Sequence, residues 1–597
     1  MRRRVLAALG ALAVVLPSVA RADSAAVCSS YFRLDPLTTS GYPGYPHGPD
    51  IASDTAGNFV VVWQSADGYG PAARRFDSAG GALGPEFKVA EGPYYYGTEP
   101  AVDADPAGNF VVVWEDYTPS PHGIAARRFD STGTPVGGQF AVNTYSTYFP
   151  RNPKVAVGAN GRFVVVWGQF DLDGPGISGQ LFDSAGSPVG GEFQVDTAVG
   201  DSDGYNGVAE DDDGIEVAMD SAGNFVVVWE NYNYYLAPGR RRILVRRFGS
   251  SGTPAGPDFE LNTTLDDQRG YPDVAVDSAG NFVVVWTETY VSIQGRRLDA
   301  TAAPVGSEFR VDEPAFDGFP FHPKVSTDGS GNFVVVWQDY RSIYGREFSS
   351  AGTPVGSQFK VEGGVDPYYG YQYRKEYPDV ATSAGGDFVV VWSEEYHYPD
   401  PSVQLFGRRF GQTSRCTAAP KTTCRQQTNP LRGAFRFKLG TSPARASLIW
   451  RWPTGESTTR QDFGDPLTET DYTLCVYDQS ADPQPILHAA VAADCKCGAG
   501  GGIQCWRELS GAGPPVEYFD PVAATSGVRR IRLKPGTNDD TRITVQGLGA
   551  TLTLPDPPLT APVTVQLQAS NGECFTASYD QQILENADGV FRARPGP

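Results

Sequence analysis

Residues 271–312 read YPDVAVDSAGNFVVVWTETYVSIQGRRLDATAAPVGSEFRVD, and the way this stretch divides decides the fold. It parses as four short predicted strands. Strand A is Asp273–Val276; the turn Asp277-Ser278-Ala279-Gly280 leads to strand B, Phe282–Trp286. Strand C is Ile293–Leu298, and a turn containing Pro304-Val305-Gly306 leads to strand D, Phe309–Val311. The Asp of the D-x-x-G turn caps the loop through its side chain, and the Gly takes the left-handed residue. Strand B is apolar on both sides rather than alternating, as in strands whose two faces are both covered.

The phrase GNFVVVW recurs through the chain. Its copies end at Trp63, Trp114, Trp167, Trp229, Trp286, Trp337 and Trp392, spaced 51, 53, 62, 57, 51 and 55 residues apart. Two copies drift, Asn160-Gly161-Arg162-Phe163 and Gly386-Asp387-Phe388. A period of this length without a helical signal indicates an array of β units. Four-stranded antiparallel sheets packed face to face around an axis form a β-propeller, so the expectation is all-β with seven blades. In the first six repeats the Phe or Leu of strand C precedes the Phe of strand D by 11 residues, as in Phe76 and Phe87 or Leu298 and Phe309. The seventh repeat stops at Phe410 without a strand D. The missing strand is found near the N-terminus, at Phe32-Arg33-Leu34-Asp35, which closes blade seven and hides its sheet edge.

The unit GNFVVVW followed by RRFDSAGTPVGGEF resembles a repeat of large secreted bacterial proteins. The resemblance covers about residues 31–411. It implies export and a β-propeller, and it brings no catalytic residues with it.

Cysteine spacing adds a covalent expectation. Cys416 lies six residues after Phe410 and Cys28 four before Phe32, together ten, close to the eleven of an unbroken C–D turn. This predicts a Cys28–Cys416 disulfide in place of that turn, with a local Cys416–Cys424 pair as the alternative. Beyond Thr417, segments such as GAFRFKLG, SLIWRWP, DYTLCVYD and TRITVQG keep the β character without a repeat. Short strands with Gly/Pro turns over 417–597 predict a β-sandwich or jelly roll. Cys424, Cys475, Cys495, Cys497, Cys505 and Cys574 would form three bridges of open connectivity. The Cys495-Lys496-Cys497 group with Cys505 lacks the C-x-x-C spacing and a companion His of a zinc site.

Residues 1–22 read as a secretory signal: Arg2, Arg3 and Arg4, an apolar run from Val5 to Leu16, then Ala20-Arg21-Ala22. The propeller then spans 28–416. The apolar run is too short to span a bilayer, and no later stretch reaches about 18 uninterrupted apolar residues. The formal charge of −21 disfavours nucleic acid and anionic membranes. Eight cysteines in an exported chain fit disulfides. A secreted or cell-surface monomer is expected.

The A–B and C–D turns hardly vary and share one face of the propeller. The B–C loops and D–A connections share the other and vary freely, as in EGPYYYGTEP, NYNYYLAPGRR and SEEYHYPDPS. Tyrosine concentrates there, with His47, His122, His322 and His397. Tyr rings on loops stack on sugar faces or anchor protein partners at low entropy cost. The candidate ligand-binding residues are Tyr94, Tyr95, Tyr96, Tyr117, Tyr232, Tyr234, Tyr235, Tyr340, Tyr368, Tyr369, Tyr371, Tyr396, His397 and Tyr398. Several of them are equally explained as packing for their loops. A second set opens strand A: Asp50, Ala101, Lys154, Glu216, Asp273, Lys324 and Asp379. Strand A lines a propeller's channel, and this mixture reads as ion pairs between blades rather than a site.

The insertion at residues 196–214, DTAVGDSDGYNGVAEDDDG, offers Asp201, Asp203, Asp211 and Asp213 as oxygen ligands for calcium; no other cofactor is expected. An acidic run is more often a solvated loop. Catalytic signatures are few: there is no H-E-x-x-H and no phosphate loop. Glu115, Asp116, Glu230, Glu288, Asp339, Glu394 and Glu395 end strand B and offer the carboxylate pair of a glycosidase only in principle. The repeat also departs from the sialidase Asp-box in the spacing of Asp, Gly and Trp. The expectation is therefore an exported, non-enzymatic binder of a glycan or an extracellular protein. A polysaccharide-cleaving enzyme using the same face, or a structural adhesin component, is the alternative.

Overall fold

The computed structural model describes residues 31–34 and 48–595, apart from short segments that include 66–69, 92–96, 118–121, 145–149, 198–205, 209–213, 234–239, 264–269, 314–318, 363–373, 397–401, 411–415 and several C-terminal loops. The signal segment 1–22 and Cys28 lie outside the described residues.

The described chain is all-β. Up to Phe410 it forms seven successive antiparallel sheets, each ordered A-B-C-D. The first comprises Asp50–Ser53, Phe59–Gln64, Pro71–Phe76 and Phe87–Lys88. The fourth has an additional short strand, Asn206–Val208, pairing with its strand B. In the seventh, Arg374–Thr382, Phe388–Tyr396 and Ser402–Phe410 are completed by the N-terminal strand Tyr31–Arg33, with Phe32 opposite Gly407. Strands A of neighbouring sheets pack side by side, and that of the seventh returns to that of the first. This is β-propeller architecture.

The repeat phrase accounts for this packing. Side chains alternate between the two faces of a strand. Val60 and Val62 enter one apolar core with Val102, Phe110, Val112 and Trp114 of the second sheet. Phe59, Val61 and Trp63 enter another with Leu34, Ala381, Val389 and Val391 of the seventh. Each strand B thus serves two cores, which is why its apolar run does not alternate.

The D-x-x-G-N turn works as a unit. The Asn58 N–H donates to Asp54 Oδ1 at 2.9 Å and the Asn58 amide to Asp54 Oδ2 at 2.7 Å, while Gly57 takes φ +84°. Asn58 Oδ1 also accepts the Ser78 N–H at 3.1 Å, tying the A–B turn to the C–D turn of its own sheet. Asn109, Asn224 and Asn332 do the same. The Arg two residues before the last Phe of strand C joins neighbouring sheets: Arg127 Nη1 donates to Val89 O at 2.7 Å and Arg346 Nη1 to Val311 O at 2.9 Å. Arg74 Nη1 donates to Leu34 O at 3.1 Å in the same manner, so the N-terminal strand is gripped as the strands D at Val89 and Val311 are.

The C-terminal region holds an eight-stranded and a four-stranded sheet around one core. The larger runs in the order Trp506–Glu508, Val516–Phe519, Val528–Lys534, Thr541–Leu548, Ser447–Gly455, Ala434–Lys438, Val590–Arg594, Gln582–Ala587. Its Trp450 and Trp452 donate to Tyr579 OH and Thr576 O of the smaller sheet, at 3.0 and 2.8 Å.

The disulfides correct the expected pattern. Cys416 is bonded to Cys475 and Cys424 to Cys574, with Cα separations of 5.4 and 4.7 Å. The Cys28–Cys416 closure bridge is therefore wrong, and so is its Cys416–Cys424 alternative. Cys475 sits on Tyr472–Tyr477, fully buried in the C-terminal region. The spacing count measured whether a linker could reach, not where it heads. Cys505 is also disulfide-bonded. Among the described residues no helix is long and apolar enough to cross a membrane.

Candidate functional site

The strand-A residues converge on the centre of the ring. Lys154 Nζ lies 3.0 Å from Glu216 Oε1, and Lys324 from two sheets further on contacts the same oxygen. Lys324 also reaches Asp273 at 3.9 Å. That one carboxylate meets ammonium groups from both sides shows how narrow the channel is. Burial would raise the Glu216 pKa, but the two ammonium groups hold it below the usual value. Burial pushes Asp273 up to about 7, with Glu216 adding to the rise against Lys324.

Across the channel, burial and the neighbouring Asp50 hold Asp379 well above the usual carboxylate range, with a hydrogen bond between the two carboxyls. Both residues are only partly exposed. Their other oxygens join sheets: Asp50 Oδ2 accepts the Val102 N–H at 2.8 Å, and Asp379 Oδ2 accepts the Ile51 N–H at 3.0 Å. The channel charges thus satisfy one another, as inter-sheet pairing requires. Among the described residues no group of three or more His, Cys, Asp or Glu could hold a metal.

The variable face begins where strand A is entered. Two residues before Ala101, Lys154, Asp273, Lys324 and Asp379 stand Glu99, Asn152, Tyr271, His322 and Tyr377, at φ +52°, +53°, +38°, +50° and +53°. Each precedes a proline, and neither a pre-proline residue nor a side chain of this size favours that conformation. Tertiary contacts hold it. Asn152 N–H donates to Glu115 Oε1 at 2.8 Å, Tyr271 N–H to Glu230 Oε2 at 3.3 Å, and Tyr377 N–H to Gln338 Oε1 at 2.5 Å. In each case the acceptor ends strand B of the preceding sheet. Gly48 occupies this position in the first sheet, where a Cβ would collide with that of Tyr377.

Three of these residues bring rings together. Tyr271 stacks on His322 with centroids 3.8 Å apart, and Tyr377 meets His322 edge-on at 5.6 Å. Phe321 closes on His322 at 5.3 Å. Tyr271 is buried; His322 and Tyr377 are half-buried. This cluster was not singled out from the sequence. The available signal was an aromatic residue before the proline that enters strand A, in three consecutive repeats.

Of the Tyr candidates, Tyr117 is exposed, donates to Glu115 and meets His122 edge-on at 5.0 Å. Tyr232 and Tyr396 lie on strand B of the fourth and seventh sheets. Tyr94, Tyr95, Tyr96, Tyr234, Tyr235, Tyr340, Tyr368, Tyr369, Tyr371, His397 and Tyr398 lie outside the described residues, as do Asp201, Asp203, Asp211 and Asp213. Four of the carboxylates at the ends of strand B, Glu115, Glu230, Glu288 and Glu394, are engaged internally. Glu115 and Glu230, 2% and 1% exposed, cap backbone N–H groups of the next sheet. Glu394 takes Lys375 Nζ at 3.3 Å and Trp392 Nε1 at 3.2 Å, and Glu288 takes the Gln294 amide at 2.8 Å.

No family model and no curated protein matches this chain. Among solved structures it is similar to a protein of unknown function from Dyadobacter fermentans, at 10% identity over 54% of this chain and 96% of that one, TM-score 0.36. An α-L-arabinofuranosidase from Fusarium graminearum, in complex with an iminosugar inhibitor, matches at 11% identity over 51% and 92%, TM-score 0.37. The polysaccharide lyase Uly1 matches at 9% identity over 60% and 89%, TM-score 0.37.

Proposed function

We propose that the seven sheets form a closed seven-bladed β-propeller of the secreted bacterial repeat type, followed by a β-sandwich, and that the exported protein is a non-enzymatic binder of a glycan through its variable-loop face. The observation that carries this reading is the ring cluster Tyr271–His322–Tyr377, contributed by three consecutive sheets and held in an unfavourable backbone conformation. Strain of that kind persists where the surroundings over-determine it, and it gathers at ligand sites. Tyr377 and His322 offer partly exposed ring faces for a sugar ring, with Tyr271 as backing. Tyr117 with His122 adds a second aromatic pair on the same face. The internal engagement of Glu115, Glu230, Glu288 and Glu394 favours binding over glycosidic cleavage, which needs two carboxylates directed at substrate.

A glycan array with the full chain, run beside a reducing-sugar release assay, tests the reading. Binding without release, weakened about tenfold or more in Tyr377→Ala, is expected for a lost aromatic anchor. Sugar release that disappears in Glu394→Gln would instead establish the polysaccharide-cleaving alternative. Retention in the cell envelope with neither response would favour an adhesin component.

A further inference from the structure

Charge is divided unevenly along the chain. Residues 1–416 carry 31 Lys and Arg against 51 Asp and Glu, a net −20, whereas residues 417–597 carry 17 against 18. Within the near-neutral C-terminal part, the cations collect on one surface.

Strand register shows where. Arg507 lies opposite Glu517, Glu517 opposite Arg532, Arg532 opposite Thr544, and Thr544 opposite Arg451. Arg451 lies opposite Ala434, and the neighbouring pair Phe435–Ala593 places Ala434 beside Arg594. One transverse row of the eight-stranded sheet therefore bears Arg507, Arg532, Arg451 and Arg594 on every second strand, all exposed. At the usual strand separation the guanidinium groups recur about every 10 Å, over roughly 29 Å. Arg436, Lys438, Arg542 and Arg592 flank the row on the same exposed face.

Two acids share this face and are already matched. Glu517 is taken by Arg507 at 2.7 Å and Arg530 at 3.3 Å, and Glu585 by Arg592 at 3.5 Å. Arg532, Arg451, Arg594, Arg436, Lys438 and Arg542 form no ion pair with any described residue.

We propose that this sheet face binds a linear acidic polysaccharide, with the alternate-strand arginines taking carboxylates spaced along its chain. The occupant follows from three features. The guanidinium fork matches carboxylate geometry in a bidentate manner, and it remains charged at every physiological pH. A row at even spacing fits a polymer of repeating charge better than a compact ligand. Nucleic acid fits less well: single strands need aromatic platforms, and the single ring on the face, Phe519, already lies beneath Arg530 at 5.1 Å. The disulfides are also consistent with an oxidising, extracellular compartment, where such polysaccharides are met. This site is separate from the propeller's ring cluster.

The test is affinity electrophoresis of the full chain in gels containing polygalacturonate, dextran or duplex DNA. Polygalacturonate should retard the protein and dextran should not, and the retardation should fade as salt rises. The double variant Arg451→Ser/Arg532→Ser should weaken binding about tenfold, since exposed charge contacts contribute modestly each. Both side chains are exposed, so an unchanged near-ultraviolet circular dichroism spectrum should accompany the loss. Tyr377→Ala should leave polygalacturonate binding intact, which keeps this result independent of the propeller reading. No retardation at low ionic strength, unchanged retardation of the double variant, or stronger retardation by DNA would each overturn the proposal. So would salt-sensitive dimerisation lost in the double variant, which would assign the face to the acidic surface of a second copy.

Discussion

Replacing Glu216 by Gln removes the one anion that separates two channel lysines. Its carboxylate lies 3.0 Å from Lys154 Nζ and touches Lys324, and the three side chains are only 12 to 17% exposed. Removing one partner of a buried ionic cluster costs about 3–5 kcal/mol, because the remaining charges stay desolvated and uncompensated. The lower end applies, as channel access and the nearby Asp273 relieve part of the repulsion. A ring of this length has an unfolding entropy of about 0.8 kcal/mol/K, so ~3 kcal/mol corresponds to roughly 4 °C in Tm. Differential scanning calorimetry of the full chain reads this out as a fall in the propeller transition alone. Because Glu216 helps keep Asp273 protonated, its loss frees Asp273 to ionise beside Lys324. The deficit should therefore shrink as pH rises toward neutrality and level off above about pH 7. The triple variant Glu216→Met/Lys154→Met/Lys324→Met should recover most of the loss, since apolar replacement of a whole buried cluster is often neutral or better. A Glu216→Gln protein melting within ~1 °C of the parent at neutral pH would refute the view that this triad holds three sheets together.

Asp273 gives a pH dependence of opposite sign to an ordinary salt-bridged carboxylate. Its pKa rises from 3.8 to about 7 on folding, so between those values the folded chain holds a proton that the unfolded chain has released. Stability falls as pH rises through that window, by up to ~1.4 kcal/mol per pH unit for one proton, and Asp273→Asn should flatten the slope of urea midpoints between about pH 4 and 7. Arg74→Ala removes the grip on Leu34 O and should cost about 2 kcal/mol, the range for a hydrogen bond to a charged group. Arg346→Ala should cost about the same, but faster hydrogen exchange at Tyr31–Arg33 should appear in Arg74→Ala alone. Cys475→Ser opens a bridge spanning 59 residues, worth up to ~4 kcal/mol in the chain-entropy model. Calorimetry should then show the C-terminal transition lowered and the propeller transition unmoved.

What could be read from the sequence was whatever repeats. Strand B was evident because Val60 and Val61 face different cores and neither can be polar. The stand-in strand at Phe32 was evident because spacing is preserved when a blade is cut at its C–D turn. The ring cluster was hidden for the opposite reason. Its position is occupied by Gly48, Glu99, Asn152, Tyr271, His322 and Tyr377 in different sheets, so no residue type marks it. The proline that follows marks the position in all six, but the strained backbone held by Glu115, Glu230 and Gln338 is visible only in the structure.

The displaced disulfide follows from how the seam is built. A covalent link between Cys28 and Cys416 was inferred because the N-terminal strand lacks the turn that holds every other strand D. Yet that strand carries the same fastenings as the rest. Leu34 is fully buried, its N–H donates to Leu405 O at 2.9 Å, and Arg74 grips its carbonyl. Asp379 secures Ile51 at the inner edge of the same seam, and the absence of a side chain at Gly48 lets Tyr377 lie against it. A bridge there would restrain an edge that packing already holds. Six residues past Phe410, by contrast, the chain has left the repeat. Cys416 is tied there to a fully buried Cys475, so the covalent constraint falls where the repeating contacts stop.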